Sequence, residues 1–188
     1  FIKKRAPFTE VDFESVRGNK DTLYIQTAAG ISLYKLSSGE SIDWQEESQI
    51  EEVLPCDKFD VNFPYLLTSV RNTACNFSDN ETTELRLYDI TELDSVVLKS
   101  TISTTEILKI QQTTNAAFYT LSSAGRLNFI ETQGDQTGIP QLVLETPGAY
   151  DFTVYENQLI LNTIDKISQY RLVSTTDAQF LSSIKVSK

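Results

Sequence analysis

Thr27-Ala28-Ala29-Gly30-Ile31-Ser32-Leu33-Tyr34-Lys35-Leu36 reads as the end of one β-strand, a tight turn at Gly30 and a second strand, which Ser37-Ser38-Gly39 closes. Three later stretches have a similar build: Glu84-Leu85-Arg86-Leu87-Tyr88-Asp89-Ile90, Gly125-Arg126-Leu127-Asn128-Phe129-Ile130 and Lys166-Ile167-Ser168-Gln169-Tyr170-Arg171-Leu172. Aligned on Ile31, Leu85, Leu127 and Ile167, they stand roughly 54, 42 and 40 residues apart, the spacing of a repeat in which each unit is one small sheet.

Working outward, each stretch is the third strand of a four-strand meander joined by hairpin-length turns. The first unit has strands at 11–16, 23–25, 31–36 and 41–44, with turn chemistry at Arg17-Gly18-Asn19-Lys20-Asp21. The second unit restarts at 50–56 and continues at 64–70, 85–90 and 95–99, and a polar insertion at 71–83 accounts for the long first interval. The third has strands at 106–110, 117–121, 126–130 and 141–144, with a Gly- and Pro-containing loop before the last. The fourth has strands at 151–155, 158–162, 166–172 and 179–184. The units cover about 10–46, 50–100, 105–146 and 150–186 of a single domain, 1–188. No capped stretch of helical periodicity competes.

The pattern resembles the blades of WD40-like β-propellers. Residues 30–39 look like the third strand of such a blade and its exit turn, and Tyr88-Asp89 stands where that family has Trp-Asp. The other units read Tyr34-Lys35, Ile130-Glu131 and Tyr170-Arg171 there, and with no His in the chain the Gly-His dipeptide of the family is absent. The resemblance implies an all-β fold: a propeller-like array of about four four-stranded antiparallel blades. Four such units can close as a small ring, or form part of a larger ring that further sequence or a partner chain completes, which is the favoured expectation. Physically, a blade apolar on both faces is buried only by stacking against its neighbours.

Composition narrows the function. A net charge of −10 argues against nucleic acid or an anionic membrane as the main partner. No run of about 18 apolar residues predicts membrane insertion, and Phe1-Ile2-Lys3-Lys4-Arg5 is followed by no apolar segment of the signal-peptide kind. Without His, a His-based triad or a Cys-His dyad is excluded, and two cysteines alone do not make a zinc site. Phosphate-binding glycine loops are absent, and no cofactor is expected. Glu46-Glu47 and Glu51-Glu52 read as solvated surface, and Asp57 with Asp60, or Asp79 with Glu81, lack calcium-loop spacing.

What remains is an interaction protein. Trp44, the sole Trp, set among Glu and Gln, is the first candidate contact anchor, and Tyr34 and Tyr88 are the next. Cys56 and Cys75 read either as free thiols, the favoured reading, or as a disulfide in an oxidising compartment. Asn76-Phe77-Ser78 and Asn80-Glu81-Thr82 are glycosylation sequons at Asn76 and Asn80, of a kind that a chain rich in Asn, Ser and Thr also shows by chance. The expected role is a non-enzymatic scaffold that binds protein partners through loops and exposed blade faces, in the cytoplasm or nucleus. The alternatives are a glycosylated recognition domain of the secretory pathway and a hydrolase using carboxylates in a central channel.

Overall fold

In the computed structural model, which describes residues 14–37, 43–71, 75, 83–113, 116–133 and 136–186, four antiparallel sheets follow one another along the chain. The first contains β1 (Ser15–Asn19), β2 (Thr22–Thr27), β3 (Gly30–Leu36) and β4 (Trp44–Ile50), in that order across the sheet. The second contains β5 (Phe59–Asn62), β6 (Tyr65–Arg71), β7 (Thr83–Asp89) and β8 (Val97–Thr104). In the third, β9 (Ile107–Gln112), β10 (Ala117–Ser122) and β11 (Arg126–Gln133) lie side by side. The outer edge of β11 is shared by a two-residue β12 (Gln136–Thr137) and by β13 (Gln141–Glu145). The fourth contains β14 (Ala149–Tyr155), β15 (Gln158–Thr163), β16 (Lys166–Ser174) and β17 (Asp177–Lys185). No helix occurs among the described residues.

The blade array matches the sequence reading, but several strand bounds move. The stretch at 50–56, read as the first strand of the second unit, is the end of β4 followed by a connection; the true first strand is the short β5. The fourth strand of the first blade starts at Trp44 instead of ending there. Arg17, Gly18 and Asn19 belong to β1, so the turn is confined to Lys20 and Asp21, where Lys20 takes a positive φ of 51°.

Adjacent residues on a strand point to opposite faces, so the apolar pairs of the middle strands feed two seams at once. Leu66 joins a core with Tyr24, Leu33 and Phe59, between the first and second blades. Its neighbour Leu67 joins Leu85, Phe118 and Ile130, between the second and third. Likewise Phe118 faces the second seam, and Tyr119 faces the third, with Phe129, Phe152 and Leu161. Among the described residues no core cluster joins the fourth blade to the first.

Every blade also has a register shift between its third strand and the fourth: at Leu33/Tyr34, Leu87/Tyr88, Leu127/Asn128 and Gln169/Tyr170. An extra residue here increases local twist, which a blade needs at its outer edge. The connection between the first two blades is held from two sides. Gln26 donates its side-chain amide to the carbonyls of Leu54 and Asp57. Cys56 is bonded to Cys75 with S–S 2.19 Å and Cα–Cα 5.7 Å, which corrects the reading that favoured free thiols. The spacing of 19 residues left both states open; the fold brings the connection beside the polar insertion that carries Cys75.

Candidate interaction surfaces

The first strands of successive blades lie side by side, and polar side chains stitch them together. Arg17 on β1 donates to Asp60 on β5 at 3.1 Å, and the other oxygen of Asp60 accepts the backbone N–H of Gln112 on β9 at 2.7 Å. Asn62 donates to the carbonyls of Thr113 and Ala117 in the third blade. Lys109 on β9 pairs with Asp151 on β14 at 2.7 Å, and Gln111 makes two bonds to Val154, donating to its carbonyl and accepting its N–H. One strand's side chain thus binds the next strand's main chain, which satisfies backbone groups that face away from their own sheet.

This arrangement bears on the carboxylate-based reading. Asp60 and Asp151 are each held by a cation, whereas a glycosidase-like pair needs two carboxyl groups facing each other across a gap. Asp57 is fully buried nearby, and its carboxyl is raised above the usual range by burial, against the N–H of Leu54 and the Arg71 guanidinium 3.8 Å away, which pull it down. Arg71 is itself shared with Glu106 at 2.7 Å. The described residues hold no group of three or more His, Cys, Asp or Glu able to bind a metal. Asp79 and Glu81 lie outside the described residues.

Tyr34 and Trp44 share one face of the first blade. Tyr34 pairs across the strands with Glu46, and Leu36 with Trp44, whereas Leu33 turns to the opposite face and the core shared with the second blade. Both rings are half-buried, and the Tyr34 hydroxyl is raised by burial and by the adjacent Glu46 carboxylate. Tyr88 is placed differently: it is 8% exposed and belongs to the first seam, where its ring packs inside the array. Asn76 and Asn80 lie outside the described residues.

A surface that the sequence reading passed over is the outer face of the fourth blade. Most of the exposed large apolar side chains among the described residues are in this blade. Leu161 pairs with the buried Ser168 on the side of the third blade, so Ile167 and its partner Ile184 face away from it. They are 41% and 70% exposed. Beside them Gln169 donates to Gln158 and accepts from Ser182, a polar row across three strands. The available signal was the run Leu159-Ile160-Leu161, which makes the fourth unit apolar on both faces.

No family model matches the chain, and no curated protein matches it. Solved structures do. The computationally designed Ika8 protein aligns with 90% of this chain at a TM-score of 0.59 and 9% identity, and the N-terminal domain of Nup159 with 93% at 0.55 and 13%. Hsv2 of Kluyveromyces lactis aligns at a TM-score of 0.45 and 9% identity, over 95% of this chain and 75% of its own. The fold is a β-propeller blade array. The chain spans about half the length of the first two, 48% in each case. Among the described residues no helix is long and apolar enough to cross a membrane.

Proposed function

We propose that the chain is a non-enzymatic interaction scaffold, a row of four propeller blades that takes protein partners on its loops and on the open face of its fourth blade, as part of a larger assembly. One observation carries this reading. Each of the three inter-blade seams has an apolar core cluster, while the corresponding face of the last blade presents Ile167 and Ile184 to solvent. An apolar sheet face of this kind marks a protein contact. Its natural complement is a further blade, from sequence beyond these residues or from a partner chain, and the doubled length of the Ika8 and Nup159 chains supports room for such blades. Tyr34 and Trp44 are the proposed anchors at the other end of the row.

The test is photocrosslinking in the native source, with p-benzoylphenylalanine in place of Ile184 and, as a control, in place of Leu98 on β8. Crosslinks at position 184 that map to a β-rich protein segment support the scaffold. Absence of any crosslink specific to 184 counts against it.

The Cys56–Cys75 disulfide favours a second reading for the compartment. Disulfides persist in oxidising surroundings, and the sequons at Asn76 and Asn80 immediately follow Cys75. On this reading the scaffold is a recognition domain of the secretory pathway, in place of the cytoplasmic or nuclear protein expected from sequence. Intact mass of the native protein decides it: glycan at either Asn with both thiols blocked supports the secretory pathway, and an unmodified mass with free thiols returns the protein to the cytoplasm or nucleus.

A further inference from the structure

We infer that the cleft between the third and fourth blades is a binding groove for a basic peptide segment, one carrying a lysine or arginine beside an aliphatic side chain. This site is separate from the open face of the fourth blade. Its volume is about 770 Å³, within the roughly 300–1,000 Å³ of typical ligand sites.

The cleft has a topological cause. β13 pairs with β11 only from Arg126 to Phe129. Further along, Thr132 and Gln133 pair with β12 instead, and β12 leans to the second blade, where Thr137 and Ser100 are hydrogen-bonded. At that end β11 is not flanked by β13, and the cleft lies there, lined by Phe129 and Glu131 of β11 and by Val154 and Leu172 of the fourth blade. The neighbouring seam is closed at the same rim by Asn62, which donates across it to Thr113 and Ala117. The first seam has a smaller cavity, about 300 Å³, with a cation of its own, Lys35.

The chemistry of the walls selects the ligand. Tyr119, Phe129, Val154 and Leu172 form an apolar floor, with the Tyr119 and Phe129 rings 5.3 Å apart. This floor suits an aliphatic side chain. Among the described lining residues Glu131 and Glu156 are the charged ones and none is a lysine or arginine; Glu156 is exposed at the rim, and the chain as a whole carries −10. An approaching cation is therefore attracted, and an acidic segment is repelled. Tyr155, 72% exposed beside Glu156, offers a ring face to that cation. Gln112, Gln141 and Asn157 supply amides along the walls for the main chain of an extended segment. The site is held rigid, because the Tyr119 hydroxyl donates to the Thr175 carbonyl across the cleft and Gln111 fixes Val154. Rigid walls spare a ligand the cost of ordering them.

The test uses two fluorescein-labelled peptide pools, random except for one Leu and, two positions before it, Lys in the first pool and Glu in the second. Fluorescence anisotropy is read against the intact chain at low salt. The basic pool binds and the acidic pool does not. Glu156→Lys weakens binding about tenfold or more, and Gln141→Trp, which fills the mouth of the cleft from an exposed position, removes it. Both variants should unfold thermally as the parent does, since neither side chain is in the core. Equal binding of the two pools, binding unchanged in both variants, or no anisotropy change at roughly 1 mM protein each overturns the proposal.

Discussion

Gly125 stands at φ +76°, and a Cβ on it would lie 2.1 Å from the Thr146 carbonyl oxygen. Gly148 has nearly the same φ, +77°, but nothing within 4 Å of such a Cβ. The pair separates backbone strain from crowding. Gly148→Ala should cost about 1 kcal/mol, the strain alone, and Gly125→Ala about 2–4 kcal/mol, because the Thr146 carbonyl must also move. Urea denaturation of the two variants measures the difference, and equal losses would show that crowding plays no part. Gly30 repeats the situation at the start of β3, where a Cβ would meet the Ile50 carbonyl at 2.1 Å. The two glycines were visible in the sequence as turn residues opening a third strand. The carbonyls that crowd them were not, because both come from the far end of the fourth strand or just past it.

At the scale of the element, the seams depend on side chains that replace absent backbone partners. Gln111 on β9 serves both the N–H and the carbonyl of Val154 on β14. Gln111→Leu leaves two part-buried backbone groups unpaired and should cost about 2–3 kcal/mol, with faster amide exchange at Val154. Gln112→Leu is the matched control: the Gln112 side chain is exposed, and its bond to Asp60 uses the backbone N–H. Similar stability losses in both variants would show that the seam does not rest on this stitch. Nothing in Lys109-Ile110-Gln111-Gln112 distinguishes the two glutamines, since the difference lies in which neighbour each faces. The same limit explains the elements that the sequence misplaced. Third strands are half-buried and keep an apolar rhythm, so Ile31, Leu85, Leu127 and Ile167 marked them correctly. β4 is an outer strand, and its Gln45-Glu46-Glu47 carries no rhythm to read. β5 has only four residues. The cleft of the third seam was out of reach for a further reason: it arises from β12 leaning to the second blade, a choice of neighbour that no local pattern records.

At the scale of the molecule, a row of stacked sheets differs from a closed ring in having ends. Each internal seam buries apolar side chains from both sides, and a mismatch at one seam is felt by its neighbours. The outer face of the fourth blade has the same alternation, and among the described residues no core cluster covers it. Two aliphatic side chains there, Ile184 at 70% exposure and Ile167 at 41%, keep a large part of their apolar surface in water. Covering what remains exposed would contribute only the corresponding fraction of the roughly 1.5–3 kcal/mol that full burial of an aliphatic side chain is worth, which favours association without altering the fold of the monomer. The combined Ile167→Lys and Ile184→Lys variant should therefore unfold within about 0.5 kcal/mol of the parent yet lose concentration-dependent association of the 188-residue chain in sedimentation velocity. Leu98→Lys, at 48% exposure on the outer strand of the second blade, should leave that association intact, because Leu98 pairs with Tyr88 on the face that packs against the first blade. Two results would refute the open-seam account: a parent chain that stays monomeric at every concentration, or a double variant that associates as the parent does. A large loss of stability in the double variant would instead mean that these isoleucines already support the fourth blade from within.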